Sequence, residues 1–244
     1  MFNTLGHLIK PIPKMKKNVV FYFLLFFWGA ALQAQPDCSL FYPFKEGVTL
    51  EYSYFDKKDK LESKTQSILK SVKAASKGVE AVVANTVFDK KDTEQFSSEY
   101  RVRCEGGVVK MDARSLLNPA MQQSFSNMDV TIEGEDLTIP KELKAGQKLP
   151  GASTHIKAGA NGVNIVNMTV NITDRKVVGQ ETITTPAGTF ECYKLTQTTE
   201  VKMMLGKTFS SVEYYAEGVG IVRSETYDNN GNLDGYMVLT GLKK

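Results

Sequence analysis

Val166, Met168, Val170 and Ile172 alternate with Asn167, Thr169, Asn171 and Thr173, and the same period of two returns along most of the chain. Such alternation puts one set of side chains on each face of a strand. It requires a sheet with one wet face and argues against an α-helix, whose apolar stripe recurs every ~3.6 residues. Val48, Leu50, Tyr52 and Tyr54 repeat the pattern, as do Tyr100, Val102 and Cys104; further runs cover Lys60 to Val72, Val79 to Phe88, Phe190 to Met203 and Thr208 to Ala216. Turn chemistry separates them, in Asp56-Lys57-Lys58-Asp59, Glu105-Gly106-Gly107, Pro186-Ala187-Gly188, Glu217-Gly218 and Asp228-Asn229-Asn230-Gly231-Asn232. Short connections of this kind make hairpins, and successive hairpins make an antiparallel meander. The expected fold class is all-β.

One short helix is expected near 119–126, where Asn118 suits the N-cap and Pro119 the first helical position. Its simplest role is a lid or plug on the sheet. From Pro140 to Asn161 the chain is rich in Gly, Lys and Ala, and reads as a mobile loop or a weak strand pair with Leu143 and Leu149 as its sizeable apolar residues. With so little helix to cover it, the sheet must close on itself, pair with a second sheet or enclose an apolar ligand. Met111, Met121, Met168 and Met203 are candidates for lining such a cavity, because methionine adapts its shape; gap-filling in an ordinary core is the plainer assignment.

The N-terminus has the three parts of an export signal. Lys14, Lys16 and Lys17 form a basic start, an apolar run follows from Val19 to Leu32, and small residues precede Ala34, where cleavage is expected. The run falls short of the ~20 apolar residues a membrane span needs, so no integral span is expected after cleavage. Met15 is the expected true start, and residues 35–244 the exported single domain. Cys38 follows Gln35-Pro36-Asp37, which is no lipobox, so a lipid anchor is not expected. Removing residues 1–34 takes away Lys10, Lys14, Lys16 and Lys17, reducing 30 basic side chains to 26 against 27 acidic ones. The net charge turns from +3 to −1, and the electrostatic case for nucleic acid disappears.

Catalytic groups are sparse in what remains. His155 is the sole histidine after the leader and stands in the soft segment, without a strand-to-helix elbow for a nucleophile beside it. Histidine and cysteine are not paired at zinc-ligand spacing, and no cofactor is expected. The Asp228 to Asn232 stretch is dense in side-chain oxygens, but an EF-hand needs Glu at its twelfth place, which here is Leu239. A hairpin turn accounts for it better. The expectation is a protein that is not an enzyme.

Tyr42-Pro43-Phe44-Lys45-Glu46-Gly47 near the exported start, Thr184 to Lys194, and the closing segments Tyr214 to Tyr227 and Gly235 to Leu239 together resemble the TapB family of exported Bacteroidetes proteins. That resemblance spans nearly all of Cys38 to Lys244. It implies a periplasmic or secreted antiparallel β-protein with a strongly curved sheet, a half-barrel or open barrel similar to that of periplasmic lipoprotein carriers. It also implies an envelope tetratricopeptide-repeat protein as a partner, without assigning residues to the contact.

Three cysteines in an oxidising compartment suggest one disulfide and one leftover thiol. Cys38–Cys104 would pin the exported terminus by closing a loop of 66 residues, worth roughly 4 kcal/mol by the loop-entropy model. Cys104–Cys192, or three free buried thiols, are the alternatives; Cys192 shares a strand face with Phe190 and reads as a buried hydrophobe. Two functions follow: an interaction protein presenting a sheet surface to a protein partner, or a carrier holding a lipid or other apolar ligand inside the sheet. A deep cavity favours the second, and a filled core with an exposed apolar patch the first.

Overall fold

The computed structural model describes Cys38, residues 40–112, Met121, Ser124, Phe125 and residues 128–161, 163–204 and 206–244. The expected leader, 1–34, lies outside these residues, as does most of the helix expected near 119–126. Within that helix Phe125 N–H donates to Met121 O at 3.3 Å, a bond of one helical turn.

The described residues build one sheet of thirteen strands. They are β1 (Thr49–Asp56), β2 (Leu61–Ala75), β3 (Gly78–Asp89), β4 (Glu94–Glu105), β5 (Val108–Met111), β6 (Asp129–Gly134), β7 (Leu137–Ile139), β8 (Ala152–Ala160), β9 (Val163–Thr185), β10 (Gly188–Lys202), β11 (Lys207–Ala216), β12 (Gly220–Tyr227) and β13 (Leu233–Lys243). In space they run β6-β8-β9-β10-β11-β12-β13-β1-β2-β3-β4-β5-β7, every neighbour antiparallel. The expected meander is therefore present, with the two terminal strands β1 and β13 paired in its middle. No helix among the described residues is long and apolar enough to cross a membrane.

The strand order itself dictates the curvature. β6 and β7 stand at opposite edges, yet only Glu135 and Asp136 separate Gly134 from Leu137. Three Cα steps reach at most ~11 Å, whereas thirteen flat strands at ~4.8 Å spacing would hold the edges ~58 Å apart. The sheet must curl until its edges nearly meet. Bulges at Glu51/Tyr52, Leu69/Ser71, Thr196/Thr198 and Tyr214/Tyr215 supply the extra twist.

The barrel stays open, because side chains rather than a ladder bridge the seam. Leu137 packs on Ala152 and Ile172 and Arg103 ion-pairs with Asp136, whereas the Glu135 N–H bond to Ser153 O, 3.0 Å, only extends the β6–β8 ladder. From β9, Arg175 Nη1 donates to Thr138 O of β7 at 2.9 Å and to Pro150 O at 2.8 Å.

Residues 140–161 prove to be the strand alternative rather than a loose loop. Ala152–Ala160 is β8, with Thr154, Ile156 and Ala158 buried on one face. The preceding stretch is tied to β9 through Gly146 N–H to Val177 O, Val177 N–H to Gln147 O and Leu149 N–H to Arg175 O, at 2.8 to 2.9 Å. Leu143 and Leu149 are both buried in the main core. Small residues hid the strand, since Ala, Gly and Thr show period two only faintly.

Antiparallel strands place alternate turns at alternate ends. At one end, the β1–β2, β3–β4 and β12–β13 turns share one construction. Oδ1 of Asp56, Asp89 and Asp228 accepts the N–H groups two and four residues on, at 2.8 to 3.0 Å. The residue three places on is left-handed in each: Asp59 (φ 60°), Asp92 (φ 64°) and Gly231 (φ 79°). An aspartate that satisfies local N–H groups makes the turn, so Asp228 to Asn232 is the expected hairpin.

At the other end the segment before β1 seals the barrel. Gly218, left-handed at φ 69°, donates its N–H to Leu40 O at 2.6 Å. The Phe41 ring meets Tyr193 edge-on at 5.5 Å. Cys38 and Cys104 are joined in a disulfide, Cα–Cα 5.7 Å, packed among Val79, Phe44 and Val72. Cys192 is the free thiol, buried at 1% exposure.

Candidate functional site

The inward rows of the strands enclose a cavity of about 570 Å³, within the ~300–1,000 Å³ range of small-molecule sites. From the sealed end outward, β2 contributes Ser67, Thr65 and Ser63, β10 contributes Gln197, Thr199 and Val201, and β11 contributes Tyr215, Glu213, Ser211 and Phe209. Period two makes each row: Leu69 and Leu195, next in line toward the sealed end, belong to the filled core instead. Phe41, Tyr42, Leu50 and Val219 line the sealed end, while the exposed Glu62, Lys207 and Asp234 mark the mouth. The three aspartate turns stand at this mouth.

A polar network crosses the wall at mid-depth. Arg175, 2% exposed, donates through Nε to Gln197 Oε1 at 3.2 Å. Gln197 Nε2 donates to Glu213 Oε1 at 3.0 Å, and Tyr215 Oη–H to Glu213 Oε2 at 2.9 Å. Burial pushes the Glu213 carboxyl above the usual carboxylate range, against the opposing pull of the Tyr215 bond and the Arg175 charge. What surface the carboxyl keeps opens onto the cavity.

Tyrosines line the facing wall. Tyr52 Oη–H donates to Ile221 O at 3.0 Å, and Ser67 Oγ–H to Asn85 Oδ1 at 2.9 Å. Burial raises the Tyr54 hydroxyl to about 12 and lifts those of Tyr42, Tyr52 and Tyr100, so all four stay neutral at physiological pH. Tyr42 is 8% exposed; although the Tyr100 hydroxyl lies beside it, its own Oη makes no well-formed hydrogen bond.

The candidate methionines divide. Met111 and Met121 line the cavity. Met168 is buried at 2% exposure but lies outside the lining, and Met203 is 55% exposed at the end of β10, beside the fully exposed Met204. Met203 has the inward parity of Gln197, Thr199 and Val201, but β10 ends at Lys202, so the row stops before reaching it. His155 sits on β8 on the face opposite Thr154 and Ile156, its Nδ1 3.1 Å from Thr169 Oγ1. Among the described residues no group of three or more His, Cys, Asp or Glu is placed to hold a metal ion. Glu213, Gln197 and Arg175 were not singled out by sequence. Their one signal was polarity within the buried phase of a strand.

An incompletely closed, all-antiparallel barrel sealed at one end, with a mixed apolar and hydroxyl-rich cavity, is the class of protein this fold defines. The chain belongs to the DUF3108-like family, whose model matches residues 45–239. It is similar to a Bacteroides fragilis protein assigned as exported, with a YmcC-like fold: 25% identity over 85% of this chain and 100% of that one, TM-score 0.74. A Parabacteroides distasonis protein assigned as a lipoprotein matches at 27% identity over 84% and 99% of the two chains, TM-score 0.74. No curated protein matches the chain.

Proposed function

We propose that the protein is an exported, non-enzymatic carrier of the cell envelope that holds a lipid or other apolar ligand inside its curved sheet. The observation that carries this reading is the cavity of about 570 Å³, walled by both flanks of the sheet and open at one end. A protein that only displayed a sheet surface would have no use for an unfilled interior, since cores otherwise pack without sizeable voids. An envelope location is supported by the export-type leader and by relatives assigned as exported or as lipoproteins. The absence of catalysis is supported by His155, which bonds Thr169 on the face away from the cavity.

A protein partner is the second reading. Val163 and Ile165 at 65% exposure, with Met203 at 55% and Met204 at 99%, put apolar side chains in water on β9 and just past β10. The resemblance to the TapB family makes an envelope tetratricopeptide-repeat protein the partner to test. Native mass spectrometry of the protein purified from its own envelope separates the two: co-purifying lipid supports the carrier, a stoichiometric protein supports the partner, and neither weakens both.

A further inference from the structure

We propose that the cavity takes an amphiphile whose head carries a hydrogen-bond donor, a hydroxyl or an amine, with the head inward at Glu213 and Tyr42 and the chain running out past Val201 and Phe209. This rests on the carrier reading above and names the chemistry of its ligand.

Glu213 is the acid set deep in the wall; the other charged lining residues, Glu62, Lys207 and Asp234, are exposed at the mouth. Each of its oxygens already accepts one bond, from Gln197 or from Tyr215. A carboxylate oxygen has room for a second, so what Glu213 offers a ligand is acceptors.

The cation that could draw an anionic head inward is screened from the cavity. Arg175 stands behind Gln197, spends Nε on that side chain and Nη1 on two backbone carbonyls, keeps an unpartnered Nη2 within the wall, and does not line the cavity. An anionic head at this depth would meet Glu213 without a facing counterion.

Tyr42 supplies the independent sign that something polar belongs here. Its hydroxyl is buried in the cavity lining with the Tyr100 hydroxyl as its neighbour, and makes no well-formed bond, a state that buried polar groups rarely keep. Tyr42 and Glu213 line the same cavity, with Tyr52 and Tyr215 beside them in the lining. Toward the mouth the lining turns to Val201, Phe209 and Met237, a path suited to an alkyl chain.

The test titrates dodecanol, dodecylamine and dodecanoate separately into the intact protein by native mass spectrometry and calorimetry, then repeats the series on Glu213→Gln and Tyr42→Phe. Dodecanol and dodecylamine are expected to bind, with dodecanoate weaker by about tenfold or more, the scale of one charge-assisted hydrogen bond. Glu213→Gln is expected to narrow that gap, and Tyr42→Phe to weaken dodecanol. The wild-type ranking decides the question even if a variant fails to fold. Equal binding of all three overturns the inference while the carrier reading stands, and binding of none removes both.

Discussion

Arg175 and Glu213 form an ion pair at one remove: Gln197 stands between them, accepting from Arg175 Nε at 3.2 Å and donating to Glu213 Oε1 at 3.0 Å. The amide lets a buried cation sit at the β7–β9 seam and a carboxylate face the cavity without direct contact. The two charges therefore have opposite consequences when removed.

Arg175→Met strips Thr138 O and Pro150 O of their donor and loosens the seam. Breaking a buried charge network from one side typically costs ~3–5 kcal/mol. Urea denaturation should show a loss of that order. Glu213→Gln should be neutral or mildly stabilising at pH 7. Burial raises this carboxyl above its ordinary 4.5, so its stabilising protonated form is present below that value and lost as pH rises through the folded one. A large destabilisation by Glu213→Gln would contradict this assignment.

The Cys38–Cys104 disulfide ties the sealing segment to β4 across 66 residues. Replacing both cysteines with serine should lower stability by roughly 4 kcal/mol. Hydrogen exchange should rise first at the backbone bonds Gly47 N–H to Leu69 O and Gly218 N–H to Leu40 O, which hold that segment down.

The mouth turns predict the acid limb of the stability curve. Backbone N–H bonds hold Asp56, Asp89 and Asp228 below their ordinary 3.8, chiefly those from Lys60, Thr93 and Asn232. A depressed carboxylate stabilises the fold above its unfolded value, and that contribution is lost as pH falls through the folded one. Comparing urea midpoints at about pH 5 and about pH 3, the triple Asp→Asn variant should lose less than the wild type on acidification.

Burial, and secondarily the neighbouring Glu191, raise the Cys192 thiol to about 11. The thiolate is the reactive form, so native protein at pH 8 should resist alkylation by iodoacetamide and react quickly once unfolded. Rapid labelling of the native protein would show that β10 opens locally.

Much of this fold was legible because period two is a local property. Val48 to Tyr54 and Val166 to Ile172 declare a half-buried strand wherever the partners lie, and the aspartate turns build themselves from their own N–H groups. β8 was faint, since Thr154, Ala158 and Gly159 carry little apolar contrast. The cavity was fainter. Met111 and Met203 look alike in a sequence, but Met111 closes β5 and reaches the lining, whereas Met203 falls just past the end of β10 and reaches solvent.

Sequence alone determined that the chain is all-β and antiparallel, because side-chain alternation and turn chemistry act within a few residues. The tertiary structure decided the rest. That Glu135-Asp136 spans the two edges of a thirteen-stranded sheet forces the curl, and the curl brings Thr138 of edge strand β7 to Arg175 of β9, the cation of the Gln197–Glu213 network. Such a meeting depends on register and curvature summed over the whole sheet, quantities that no short stretch of sequence contains.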